Sequence, residues 1–306
     1  MSNNVKIGKS DVVTSGLGLG TNKVGGHNLF DNLNDEDGYA VVREALDSGI
    51  SLLDTAYVYG LGRSEEIIGD VLQDYDRSKV VIATKAAQDP NNDLQINNSP
   101  EFLKQAVDDA LARLKTDYID IFYIHFPDEN TPKNEAVKAL NEVKKTGKIR
   151  AIGVSNFSPE QIEEANADGL VDIVEDNYSL VHREAEISEF PYLQANNISF
   201  VPFFPLASGL LTGKYGAEEG AKFDQFSADE YYNISQAIEQ VRKIAEAKQA
   251  TVTQVVLAWY LQNPDISVVI PGARTSDQVK SNVSATKVSL TAPEYDQIDQ
   301  LFQDFK

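Results

Sequence analysis

Short apolar runs recur along the chain, and each is followed by residues spaced like an amphipathic helix. The runs are "SGLGLGT" (15–21), "ISLLDTA" (50–56), "VVIATK" (80–85), "YIDIFYIH" (118–125), "IRAIGVSN" (149–156), "VDIVEDNY" (171–178), "ISFVPFFPL" (198–206) and "ISVVIPGA" (266–273). Their apolar residues are continuous rather than alternating, which predicts parallel strands covered on both faces. The intervening pattern predicts helices over 35–49, 64–73, 99–115, 132–147, 158–168, 184–196, 228–249, 252–263, 276–285 and 292–306. Local signals agree with these boundaries. Ser99 reads as an N-cap with Pro100 at the first helical position, and Gly147 follows a run ending in lysines.

Eight strand-then-helix units predict an α/β fold, a (β/α)8 barrel with a short N-terminal extension and extra C-terminal helices. No stretch reads as a linker, so residues 1–306 are expected to form a single domain. The alternative is a doubly wound open sheet, which usually carries a phosphate-binding glycine turn that opens a helix. "GLGLGT" (16–21) has the glycines, but residues 22–34 read as loop.

Composition narrows the chemistry. The chain has no cysteine, which excludes disulfides and thiolate catalysis. Its three histidines, His27, His125 and His182, are far apart and belong to no zinc-binding pattern, so no metal is expected. No run has the length of a membrane helix and the N-terminus has no signal-peptide core, so a cytoplasmic protein without a membrane partner is expected. The formal net charge of −20 argues against nucleic acid as a partner. It also means that any anionic cofactor must be met by cations gathered locally. Nothing in the sequence implies an oligomer.

The predicted strands end in chemically useful residues. Asp54 ends the second, Lys85 the third and His125 the fourth; Ser155 and Asn156 end the fifth, Glu175 lies near the end of the sixth and Phe203 near that of the seventh. In a barrel these positions converge on the C-terminal rim, where active sites are built. Singly, each has a plain structural explanation: a turn cap, a solvated amine, a core histidine. Together with Tyr59, five residues beyond Asp54, they form a coherent acid. An ammonium beside a phenol favours the phenolate and is expected to lower its pKa, while the carboxylate keeps the lysine charged and aimed. Asp54, Tyr59, Lys85 and His125 can thus protonate an oxygen on which negative charge develops. No nucleophile accompanies them, which suits reduction of a carbonyl by a hydride-carrying cofactor.

At this point the chain resembles the aldo-keto reductase family over nearly its whole length. The resemblance rests on "GLGLGT", "LLDTAYVYGLGRSEEIIG", "VVIATK", "YIDIFYIHFPD", "GKIRAIGVSNFSPEQI", "FPLASGLLTGKY" and "VVIPGAR". It is closer to the branch of general-stress reductases and potassium-channel β subunits than to the aldose reductases. The resemblance implies reduction of aldehydes or ketones by NADPH, with NADH used more weakly, and a catalytic tetrad at Asp54, Tyr59, Lys85 and His125. It places Ser155, Asn156 and Glu175 on the nicotinamide carboxamide and Phe203 against the nicotinamide ring. Leu206, Gly209, Leu211 and Lys214 would fold over the pyrophosphate, and Gly272, Arg274, Gln278 and Asn282 would meet the adenosine phosphate. Phe30, Tyr57 and Phe126, with loops 22–34, 88–98 and 215–227, would wall a pocket for a small carbonyl substrate. Two positions depart from the family pattern: Glu175 where glutamine is usual, and Ser281 where glutamate is common. A cofactor-binding regulatory subunit with little turnover is the alternative, since it would keep the same tetrad. A sugar-phosphate isomerase on the same barrel would not need the "SN" and "PGAR" segments.

Overall fold

The computed structural model describes residues 4–306. An antiparallel pair, β1 (Asn4–Lys6) and β2 (Val13–Ser15), precedes a seven-stranded parallel sheet. The sheet runs in sequence order through β3 (Gly18–Gly20), β4 (Leu52–Asp54), β5 (Val81–Ala86), β6 (Ile119–Ile124), β7 (Ile149–Ser155), β8 (Ile173–Asn177) and β9 (Ser199–Phe203). Between them lie α1 (Asp35–Asp47), α2 (Arg63–Leu72), α3 (Pro100–Leu114), α4 (Lys133–Lys145), α5 (Pro159–Ala165), α6 (Ala185–Ser188) and α7 (Phe190–Ala195). After β9 come α8 (Ala228–Ala247), α9 (Val252–Gln262), α10 (Ser276–Ser284) and α11 (Ala292–Leu301).

The eighth apolar run does not form a regular strand. It makes isolated parallel bridges, Leu17 with Val269 and Gly20 with Gly272, and Ser267 N–H donates to Phe200 O at 2.9 Å. Residues 266–273 therefore touch both edges of the sheet. Pro271 has no N–H to give, and only its carbonyl joins in, accepting from Gly20 N–H at 3.2 Å. The expected helix over 184–196 is split in two at Glu189. Pro191 lies in the first turn of α7, where its missing N–H suits a new start and would interrupt a continuous helix.

Two apolar clusters show how the sheet curls. One packs the outward strand residues, such as Leu53, Ile82, Phe122 and Val154, against the helices. The other joins Leu52, Val81, Ala83, Ile121, Ala151, Ile173, Val201 and Val268 across the inside of the sheet. Because strand side chains alternate, Asp54, Lys85, Tyr123, Ser155 and Glu175 continue the inward register.

The short hairpin covers the other end of this interior. Ile7 and Val12 are buried in the inner cluster, a gain of about 1.5–3 kcal/mol per fully buried side chain. Gly8 N–H donates to Ser199 Oγ at 2.9 Å and Lys9 Nζ to Val171 O at 2.8 Å, which ties the hairpin to the starts of β8 and β9. Nearby, the buried Asp120 carboxylate accepts from Arg77 Nη2 at 2.8 Å and from Ile82 N–H at 3.0 Å.

Candidate active site

The polar layer begins directly above the inner apolar cluster. Tyr123 forms its floor, lying so close to β7 that a Cβ on Gly153 would come within 2.2 Å of Tyr123 Cδ1. Only glycine leaves room for that ring. Above it stands Lys85, whose Nζ is 5.4 Å from the Tyr123 ring centroid. Lys85 Nζ donates to Asp54 Oδ1 at 2.5 Å and to Thr55 O at 3.1 Å, and lies 3.2 Å from Glu175 Oε1. The same ammonium is 5.7 Å from the centroid of Tyr59, and the Tyr59 ring meets His125 edge-on at 6.3 Å. His125 stacks on Phe126 at 4.5 Å. The loop after β7 is held by Asn156, a left-handed residue (φ 60°) whose Nδ2 donates to His125 O and Ser155 Oγ, both at 3.0 Å.

Removal of water dominates the electrostatics. Burial raises the Tyr59 pKa; Lys85 opposes this, Asp54 and Glu175 add to it, and the net direction is up. This corrects the expectation from sequence, where the lysine alone set the sign. Tyr59 is therefore a firmly protonated phenol. Burial opposes the charge on Lys85, but Asp54, Glu175 and Tyr59 together raise its pKa above the ordinary value. His125 is held neutral by burial and by the Lys85 charge. Glu175 is pushed well above the usual carboxylate range, first by burial and then by Asp54. Its Oε2 and the His125 Nδ1 are buried without a hydrogen-bond partner.

At the rim three cations, Lys23, Lys214 and Arg274, act on one another. Lys23 Nζ and Arg274 Cζ lie 5.5 and 5.8 Å from the centroid of the same ring, Phe30. Burial, then Arg274 and Lys214, lower the pKa of Lys23. Among the described residues, none of these three cations has a carboxylate within 4 Å, although every other arginine and many lysines do. The segment after β9 curls beside them through left-handed residues: Phe204, Ala207, Ser208 and Gly209 all have positive φ. At Gly209 (φ 97°) a Cβ would meet Lys214 Nζ at 3.0 Å, so glycine keeps a cradle open next to the ammonium. Three cations without a carboxylate partner, a curled backbone and the two orphaned polar atoms in the barrel fit an elongated anionic ligand that reaches from Arg274 to Glu175. A nicotinamide dinucleotide is such a group.

The structure brings Asp54, Tyr59, Lys85, His125 and Glu175 into one cluster, with Ser155, Asn156 and Phe203 at the ends of β7 and β9 around it. Other expected residues have more limited scope. Leu211 is wholly in the core, and Leu206 packs against it, so main-chain groups are what these two offer a ligand. Gln278 Oε1 accepts from Arg274 N–H at 2.7 Å, which orients that arginine's backbone. Gly272 bridges Gly20, and Asn282 is buried on α10. Of the expected pocket walls, Tyr57 lies under the Arg113 guanidinium at 5.0 Å, Phe30 meets Lys23 and Arg274, and Phe126 stacks on His125. Two residues escaped the sequence reading. Lys23 belongs to no motif, and its signal was only a lysine two positions after Thr21 at a strand exit. Asn28 also lies in this loop; its Nδ2 donates to Val58 O at 3.0 Å and its Oδ1 accepts from Gly60 N–H at 2.8 Å. It thus brackets the backbone on either side of Tyr59.

Residues 16–303 match the sequence model of the aldo/keto reductase family. The chain is 33% identical to the aldo-keto reductase YhdN of Bacillus subtilis, across 97% of this chain and 93% of that protein. It is also 33% identical to the NADH-specific methylglyoxal reductase of Escherichia coli, across 94% of each. Its fold is similar to that of a glycerol dehydrogenase from Gluconobacter oxydans, with a TM-score of 0.88 and 30% identity over 99% of this chain and 96% of that one.

Proposed function

The chain belongs to the aldo/keto reductase family, and from that premise we propose that it reduces aldehyde or ketone carbonyls to alcohols with NADPH, using Tyr59 as the general acid. The carrying observation is the cluster of Asp54, Lys85, Tyr59 and His125 at one end of a sealed interior. A bound nicotinamide would supply the hydride. The chain's own groups do the rest. Tyr59 holds a proton at neutral pH and can give it up only where negative charge builds on a neighbouring oxygen. Lys85, fixed by Asp54, stabilises the phenolate that results. His125, kept neutral, can orient the carbonyl oxygen without adding a second charge.

Cofactor contacts follow the same layout. Ser155, Asn156 and Glu175 would hold the carboxamide, Phe203 would face the ring, and the 206–214 segment with Lys214 would hold the pyrophosphate. The 2′-phosphate distinguishes NADPH from NADH, and Arg274 and Lys23, neither with a carboxylate partner, support a preference for it. The relative from Escherichia coli is NADH-specific by name. Here, measurable use of NADH beside a preference for NADPH is expected. Closure of the seven-stranded sheet into a barrel, as one domain over 1–306, is supported by the hydrogen bonds of 266–273 to both sheet edges.

The test is turnover of simple aldehydes and ketones by the purified protein, followed by loss of reduced-nicotinamide absorbance. Tyr59→Phe should lower kcat by about 10²- to 10⁴-fold while NADPH still binds. Near-normal turnover in that variant rules Tyr59 out as the acid. Cofactor binding without turnover on any carbonyl would instead support a regulatory subunit.

A further inference from the structure

Two carboxyl groups share one ammonium at the centre of the barrel. Asp54 Oδ1 is 2.5 Å and Glu175 Oε1 3.2 Å from Lys85 Nζ, and none of the three side chains is more than 3% exposed. If both acids were ionised, the interior would carry one uncompensated negative charge, which is strongly unfavourable away from water. The surrounding groups cannot supply the missing positive charge. Tyr59 and Tyr123 are phenols, His125 is neutral, and Ser155 does not titrate in this range. One carboxyl must therefore hold a proton. The geometry selects Glu175: its contact with the ammonium is the longer one, and its Oε2 lies buried with no partner.

We propose that Glu175 is the proton store of this site: it keeps a proton while a neutral nicotinamide lies beside it and releases that proton, by way of Lys85, when the nicotinamide is cationic. The inference rests on the cofactor-binding reading above. The proton count closes within the cluster. When Tyr59 Oη gives its proton to the product alcohol, a proton on Lys85 Nζ moves to the phenolate. The Glu175 O–H proton then replaces it on Lys85. Glu175 ends as a carboxylate facing a positive ring, so the buried region gains no net charge. Solvent returns the proton when the oxidised cofactor leaves. A glutamine at this position could bind a carboxamide but could not carry out these steps.

Binding alone tests this, without turnover. Calorimetric titration of the full-length protein with NADP⁺ and NADPH, and in parallel NAD⁺ and NADH, in buffers of different ionisation heat counts the protons released. Wild type should release close to one proton per site on binding an oxidised cofactor and almost none with the reduced form. Its oxidised-cofactor Kd should then fall by about tenfold for each unit that the pH rises, until the pH reaches the pKa of Glu175 in the free protein. Glu175→Gln should release none and lose that slope, whereas Tyr59→Phe should keep the release. A second readout needs only wild-type protein: the infrared C=O band of a protonated carboxyl should be present with the reduced cofactor and absent with the oxidised one. Binding of both redox forms with no difference in protons overturns the proposal and leaves the reductase reading intact. Release that survives in Glu175→Gln, or vanishes in Tyr59→Phe, overturns it as well. Failure of every cofactor to bind removes both the proposal and the reading beneath it.

Discussion

Replacing Lys23 with alanine should have opposite effects on the free protein and on its complex. In the free protein the charges that act on Lys23 are those of Arg274 and Lys214. Its Nζ and Arg274 Cζ both approach Phe30, so the two charges are no more than about 11 Å apart, a separation at which like charges repel by roughly 0.4–1.5 kcal/mol before salt screening. Removing Lys23 relieves that repulsion and loses a little contact between its stem and the ring. The melting temperature of the free protein should therefore hold steady or rise by no more than about 2 °C. In the complex the same ammonium would meet a phosphate. A charge-assisted contact of about 1.5–3 kcal/mol corresponds to a loss of roughly 10- to 150-fold in NADPH affinity. Fluorescence titration and thermal unfolding, with and without NADPH, measure both quantities on one sample. Raising the salt concentration should narrow the affinity gap between variant and wild type. An unchanged Kd would show that the rim cations do not grip the cofactor. A free-protein melting temperature several degrees lower would show that Lys23 is structural.

Three further outcomes follow from the geometry. Asp120→Ala strips Arg77 and the Ile82 N–H of a buried partner at the closed end of the barrel and should cost about 3–5 kcal/mol; an unchanged urea midpoint refutes this. Gly153→Ala forces the Tyr123 ring to move and should destabilise by about 1–3 kcal/mol, with reduced turnover because that ring floors Lys85; wild-type stability and activity together would show that the ring yields freely. Burial pushes Asp176 up to about 6, and burial with the Asp176 charge pushes Glu189 up to about 7. Raised carboxyl values mean that the folded state retains protons the unfolded chain has released. Stability is then greatest below the ordinary carboxylate range and falls as pH rises through 6 and 7. Glu189→Gln should flatten the upper part of a melting-temperature profile against pH, and an identical profile counts against the assignment.

Much of the site was legible because strand periodicity and motif position carry the same information. Once a run such as "VVIATK" is read as a buried parallel strand, its last polar residue can only point into the barrel mouth. Asp54, Lys85 and His125 follow from that, and the helix cap at Ser99 behaves as its residue type requires. What stayed hidden depends on distance through space. No local pattern marks Lys23 as a neighbour of Arg274, because the two are joined only by closure of the sheet. Asn28 reaches the tyrosine loop through a side chain whose direction the sequence does not specify. The sign of the Tyr59 shift is not legible in the sequence, because charges can be read from letters, whereas the water excluded around a phenol cannot. The same holds for Glu175, which reads as one altered ligand until the second carboxyl on Lys85 is seen. At the end of the sheet, "ISVVIPGA" has the composition of a strand, but Pro271 interrupts its hydrogen bonding.

The hairpin at the base makes the barrel a stoppered well. Ile7 and Val12 plug the end of the interior opposite the polar layer, and a bound cofactor and substrate would stand at the other end. Everything below them would then be a closed reservoir, exchanging neither water nor ions with the medium until a product departs. The hairpin of residues 4–15, at the opposite end from the reacting groups, would in that sense set how long the chamber keeps its contents private. Trimming them should open a leak, with solvent isotope exchange at the buried Lys85 and Glu175 quickening even where the rest of the barrel stays folded.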